Sequence, residues 1–222
     1  WVTVRLPAPA PIGRESFLAR AHQLATNPRW LVFLLAIFLA GTCYAILNNY
    51  LIIYLTDLGA GKGLYGLSIA AAGLSELPVY AFSPLLLRKL RPHGMLALAF
   101  AALGLRGLAY SAIRDPRWAV GAQLLHGPTF SAMWIASVIY AGQIAPRGLG
   151  ASAQSVLGAV LFGFGAGAGA LLGAWLYAGL GPQTAFRSAA GLAVVGLILF
   201  GLSAFHDRQS EHAVGDVDQR TD

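Results

Sequence analysis

Leu74-Ser75-Glu76-Leu77-Pro78 places a carboxylate well inside an apolar run that covers residues 63–87. A charge at the bilayer centre costs at least about 2.5–3.5 kcal/mol on insertion scales, so it faces a protein interior or a watery cavity and pairs there. Later apolar segments carry Arg106 and His126 at similar depth. Ionisable groups on three successive segments point to a solute or ion pathway held in an apolar scaffold.

The composition fits that scaffold. Of 222 residues, 57% are hydrophobic and 11% charged, against about 25% charged in soluble domains. Helix geometry needs about 20 apolar residues to cross a bilayer. By that measure the chain has six spans, at 29–56, 63–87, 93–113, 117–144, 150–179 and 184–205. They are separated by Asp57 to Lys62, Arg88 to Pro92, Arg114-Asp115-Pro116, Pro146-Arg147-Gly148 and Gly181-Pro182. These connections are short, so successive helices are antiparallel neighbours. The expected fold is all-α: a polytopic bundle of six transmembrane helices over 29–205, with flanking segments 1–28 and 206–222.

Asn27-Pro28 has the form of a helix start, with Asn as N-cap and Pro at the first helical position. Upstream, residues 1–28 are proline-rich and basic; Phe17, Leu18 and Leu24 fit either a surface helix or a solvated loop. The tail from Asp207 to Asp222 is polar and expected to be disordered. The chain opens at Trp1 without a signal-peptide pattern, and reads as a piece of a longer protein.

The net charge of +6 does not indicate a nucleic-acid binder, because the basic residues flank apolar segments singly or in small groups. With residues 1–28 inside, ten Lys and Arg residues lie on the inner side against Lys62, Arg114, Arg117 and Arg187 outside. The positive-inside rule then puts both ends of the segment in the cytoplasm. One cysteine, Cys43, excludes an intrachain disulfide or a Cys-rich metal cluster and reads as a packing residue. No Ser-His-Asp set or His-Glu-x-x-His is present, so neither an enzyme nor a metal site is expected. The run Gly163 to Gly169 lacks the Lys-Ser/Thr of a nucleotide loop. Gly165, Gly169 and Gly173 instead form a small-residue face for close helix packing.

This topology, the basic loop after the second span and the buried polar set resemble the C-terminal half of a major facilitator superfamily transporter. The lactose-permease-like branch, with its phenylpropionate and nucleoside permeases, is the most similar. Glu76-Leu-Pro-Val-Tyr-Ala-Phe-Ser-Pro84, followed by Leu-Leu-Leu-Arg88, is similar to that branch's eighth helix, whose glutamate contacts substrate. Arg106-Gly-Leu-Ala-Tyr110 is similar to the ninth, with its buried arginine, and Leu125-His126-Gly127 to the tenth, with its buried histidine. Pro146 to Gln154 and the glycine face resemble the following loop and eleventh helix. The resemblance covers residues 29–205. It implies proton-coupled symport of a small organic solute in the cell membrane, no cofactor, and an N-terminal six-helix half as partner, with 1–28 as the cytoplasmic interdomain loop. Lactose permease carries a proton-handling glutamate one turn after the tenth-helix histidine. Thr129 stands there in this chain, so that proton site is not carried over.

The residues supply the chemistry of such a pathway. Glu76 can exchange protons between the two aqueous sides or pin helices together as an ion pair. Arg106 can pair with Glu76, clamp an anionic substrate, or snorkel to the interface. His126 can bind substrate hydroxyls, relay protons or serve as a packing histidine. Gln123 and Thr129 share its face. Asn48, one turn from Tyr44, is a binding or interhelical hydrogen-bonding residue, and Gln154 reads as interfacial. Trp30, Trp118 and Tyr177 suit an aromatic belt; Trp134 can stack on a ring-bearing substrate or pack in the core. Two other functions remain open: proton-driven efflux, and a non-transporting membrane sensor or assembly protein of the same fold.

Overall fold

The computed structural model describes the backbone of residues 14–218 and the side chains of 19–202. The first helix, α1 (Arg14–Thr26), takes the helical option of the two open for that stretch. Leu24 is buried, and Arg20 Nη1 donates to the Arg147 carbonyl at 2.7 Å, which ties α1 to the end of the bundle. Phe17 and Leu18 lie outside the described side chains, as the segment 1–13 lies outside the described backbone.

Asn27 then caps α2 (Pro28–Asp57) as the sequence predicts: its side chain accepts from the Arg29 N–H at 2.9 Å, with Pro28 at the first helical position. After a turn through Gly59 at φ 77° comes α3 (Lys62–Ala112). Straight, its 51 residues would reach about 75 Å. Both its ends nevertheless lie at the Asp57 end of α2. The Tyr65 hydroxyl bonds Thr56 Oγ1 at 2.9 Å, and the Tyr54 hydroxyl donates to the Ile113 carbonyl at 2.5 Å. The helix therefore doubles back at Arg91, whose φ 55° and ψ 172° break the helical path just before Pro92. The break falls in the predicted Arg88–Pro92 connection and divides α3 into arms 62–90 and 92–112.

The next rod consists of α4 (Trp118–Ala122), a 3₁₀ turn (Gln123–Leu125) and α5 (His126–Ile144). It returns to the Trp30 end, where Tyr140 packs on Phe33 and His93 at ring separations of 4.9 and 4.7 Å. The following rod, α6 (Gly150–Gly158), a π-helical stretch (Ala159–Gly165) and α7 (Ala166–Leu180), runs alongside α2 in the same direction. Tyr50 donates to the Ala170 carbonyl at 2.6 Å and Tyr177 to Asp57 at 2.5 Å. The glycine face is what brings the rods together: a Cβ on Gly165 would meet Gly41 and the Phe38 carbonyl, and one on Gly169 the Thr42 carbonyl.

The last helix, α8 (Pro182–Asp218), runs back, with Phe186 against Tyr54 and Tyr110 and Phe200 against His93 and Tyr140. It extends past the expected end at residue 205 into the segment read as a polar tail. The described residues are all-helical, without strands. Among the described residues, four helices are long and apolar enough to cross a membrane: Pro28–Asp57, Lys62–Ala112, Gly150–Leu180 and Pro182–Leu202. Cys43 lies in the core as expected, whereas Trp30 packs on Phe33 inside the bundle and not on an outer belt. Trp118 is exposed.

Candidate functional site

Pro128 shapes the middle of the bundle. It has no N–H for the Leu124 carbonyl, and its ring crowds that carbonyl. The backbone just upstream tightens into the 3₁₀ turn Gln123–Leu125. Gly127 follows His126 and sits hard against the first arm of α3, where a Cβ would collide with the Ser75 carbonyl. Its N–H donates to Ser75 Oγ at 2.8 Å. That close approach brings α5 side chains onto Glu76. His126 Nε2 lies 3.3 Å from Glu76 Oε1, and the Ser131 hydroxyl donates to Glu76 Oε2 at 3.1 Å. His126 Nδ1 is buried without a hydrogen-bond partner, and the imidazole leans on Tyr44 and Phe130.

A second polar knot lies beside this pair. Arg106, on the second arm of α3, is 0% exposed, so it does not snorkel. Its Nε donates to the Tyr110 hydroxyl at 2.8 Å and its Nη1 to Thr129 Oγ1 at 3.3 Å. Its Nη2 donates to Asn48 Oδ1 at 3.0 Å and to Gln123 Oε1 at 2.8 Å. The Tyr110 hydroxyl donates onward to Gln123 Oε1 at 2.7 Å. Charge-assisted hydrogen bonds are worth about 1.5–3 kcal/mol each, which offsets the burial of the guanidinium. Glu76 is thus met by His126, whereas Arg106, expected as its partner, is held by neutral oxygens.

Asn48, Glu76, Gln123 and His126 form the polar end of a cavity of about 340 Å³ between α2, the first arm of α3 and the α4–α5 rod. Its other walls are mainly apolar, among them Leu51, Ile52, Leu55 and Ile69. Ser68, 2% exposed, also faces the cavity and its hydroxyl has no partner. The volume falls in the range of about 300–1,000 Å³ typical of small-molecule sites. The five candidate residues Asn48, Glu76, Arg106, Gln123 and His126 thus meet in one region: four line the cavity, and Arg106 lies behind Asn48 and Gln123. Among the described residues no group of His, Cys, Asp and Glu could hold a metal ion.

Other polar candidates lie away from the cavity. Gln154 donates to the Val138 carbonyl at 2.8 Å, joining α6 to α5. Trp134 packs on Phe162 at 5.3 Å and is absent from the cavity wall. Several contributors escape sequence reading. Ser75 and Ser131 look like ordinary small helix residues, and Ser68 gives no signal. Tyr110 did carry one: it lies one turn from Arg106 on the same helix face.

The family model described as MFS_1 like matches residues 12–188. The chain belongs to that family. Its similar proteins include major facilitator superfamily domain-containing protein 6-like protein B of Xenopus laevis, 32% identical over 66% of this chain and 24% of the relative. Protein A of the same organism is 26% identical over 80% of the chain and 29% of its own length. The Danio rerio 6-like protein is 30% identical over 76% of the chain and 31% of its own length. The chain therefore spans a quarter to a third of these relatives. Membership in the MFS_1 like family, together with the apolar helices, makes it a multi-pass membrane protein.

Proposed function

We propose that this chain is one half of a secondary active transporter, crossing the cell membrane six times with both ends in the cytoplasm, and that it moves a small organic solute inward with protons. Family membership supports a transporter over an enzyme. The break at Arg91 and the continuity of the α4–α5 rod support six crossings from the four long helices and that rod. The basic residues Arg88, Lys89, Arg91 and Arg147 gather with Arg20 and Arg29 at the Trp30 end, which supports that end as cytoplasmic.

One observation carries the mechanism: Glu76 Oε1 lies 3.3 Å from His126 Nε2 at the wall of a cavity that also presents Asn48 and Gln123. A carboxylate at such a wall gains and loses protons as the cavity opens to either side. Solute bound next to it feels the change of charge. The opposing half needed for alternating access is a second six-helix bundle, related to this one as a parallel repeat about an axis along the membrane normal.

Reconstitution of the full-length protein in proteoliposomes tests this. An inward proton gradient drives uptake by the wild type, whereas Glu76→Gln loses gradient-driven uptake and keeps solute exchange. Unchanged gradient-driven uptake in the variant would remove Glu76 as the coupling residue, and accumulation of solute inside everted vesicles would make the protein an exporter.

A further inference from the structure

We propose that the cavity takes its solute as a small organic anion, bound together with one proton on the Glu76–His126 pair. This rests on the transport reading above and adds the substrate class.

The first support is the charge inventory. Arg106 is permanently protonated, and a buried charge is normally paired with an opposite one. Here the guanidinium meets only Tyr110, Thr129, Asn48 and Gln123, and among the described residues it has no ion pair with a carboxylate. Glu76 is engaged elsewhere, by His126 and Ser131. The other titratable side chains around the pair are Tyr44 on α2, Tyr65 on the first arm of α3, and Tyr110 on the second.

The second support is the direction in which donors point. A guanidinium only donates, and the Tyr110 oxygen that accepts from Nε passes its own hydrogen to Gln123. Both contacts hold the Gln123 carbonyl oxygen toward Arg106. Its amide NH₂ is then the free end at the cavity, without a hydrogen-bond partner among the described residues. The unpartnered Ser68 hydroxyl adds another donor. The open Gln123 amide in front of a buried cation, with a second unpartnered donor buried in the cavity wall, suits an oxygen-rich anionic head, and Leu51, Ile52, Leu55 and Ile69 suit an apolar body.

The proton enters through charge balance. With Glu76 ionised and His126 neutral, Arg106 and Glu76 cancel. A proton taken from water by the pair, on either member, leaves the site one unit positive. An anion then restores neutrality, so anion affinity rises as pH falls, and proton and anion cross together without net charge.

The test is ligand-induced thermal stabilisation of the full-length protein in detergent, with benzoate and butyrate as probes against benzamide and butyramide, below and above neutral pH. The carboxylates stabilise the wild type, more strongly at the lower pH, and the amides do not. Gln123→Glu gives Arg106 a built-in carboxylate of the same shape; carboxylate affinity falls about tenfold or more, as expected for losing one charge-assisted contact. Ser68→Ala, which leaves the Arg106 knot intact, weakens the carboxylates by a smaller factor, so the proposal stays testable if Gln123→Glu does not fold. Amides that match the carboxylates, no response to either carboxylate, or a folded Gln123→Glu that responds like wild type would overturn the anion site. Carboxylate binding without any flux in proteoliposomes would instead overturn the transport reading alone.

Discussion

Arg106 Nη2 lies 2.8 Å from Gln123 Oε1, and that contact decides which end of the Gln123 amide faces the cavity. The two residues sit on neighbouring rods, the second arm of α3 and the 3₁₀ turn ahead of α5. Each needs the other. The guanidinium is buried only because oxygens from α2, α3 and the α4–α5 rod converge on it, and the amide is oriented only because its oxygen is held from behind.

Tyr110→Phe tests that knot with little change in shape. It strands Arg106 Nε and removes one of the two donors to Gln123 Oε1. The expected loss is about 1–3 kcal/mol of stability, the cost of a buried unsatisfied donor, with weaker solute binding alongside. Unfolding in mixed micelles measures the first effect and thermal stabilisation by solute the second. Wild-type stability would mean that the hydroxyl bridges nothing.

Arg106→Lys separates charge from geometry. The positive charge stays, but an ammonium cannot fork onto oxygens contributed by three rods. At least one buried oxygen loses its donor, and stability is expected to fall by about 1–3 kcal/mol. Carboxylate binding should also weaken, because Gln123 is no longer fixed. A lysine variant as stable as wild type would show that point charge alone holds the site.

Gly127→Ala addresses the close approach that sets the Glu76–His126 distance. The added methyl group meets the Ser75 carbonyl, which belongs to helix backbone and cannot swing aside. The rods must part, at an expected cost of about 1–3 kcal/mol. Gradient-driven uptake should fall more than protein yield, since the Glu76–His126 contact of 3.3 Å is lost first. Equal uptake per folded molecule would uncouple that contact from function.

Arg91→Gly should stabilise the protein. Arg91 sits at φ 55° and ψ 172°, a region that glycine enters freely and other residues enter at about 1–3 kcal/mol. A gain of about 1 kcal/mol in an unfolding titration is expected, the rest being offset by the wider freedom of glycine in the unfolded chain. A loss of stability would mean that the arginine side chain holds the bend.

The bilayer makes much of this fold legible in one dimension. Every backbone polar group must be satisfied within its own segment, so apolar length and punctuation translate directly into helices and turns. Asn27-Pro28 starts α2, Arg88 to Pro92 holds the reversal, and Gly165 and Gly169 mark the face that meets α2. Buried charge in an apolar run is costly enough that Glu76, Arg106 and His126 announce themselves, and the structure brings them to one region. The pairing among them was not legible. Hydrogen-bond partners at separations such as Ser131 to Glu76 or Asn48 to Arg106 depend on helix rotation and crossing, which no local pattern encodes. Trp30 illustrates the same limit: its place near a span end fits a belt, yet rotation of α2 turns it inward against Phe33.

The sequence by itself therefore determined the all-helical class, the turns at Asn27-Pro28 and Arg88 to Pro92, and the identity of the costly polar groups, because hydrocarbon penalises polar atoms residue by residue. Only the tertiary structure decided that Glu76 answers to His126 and that Arg106 meets neutral oxygens, because those outcomes depend on how the rods rotate and how closely Gly127 lets them approach.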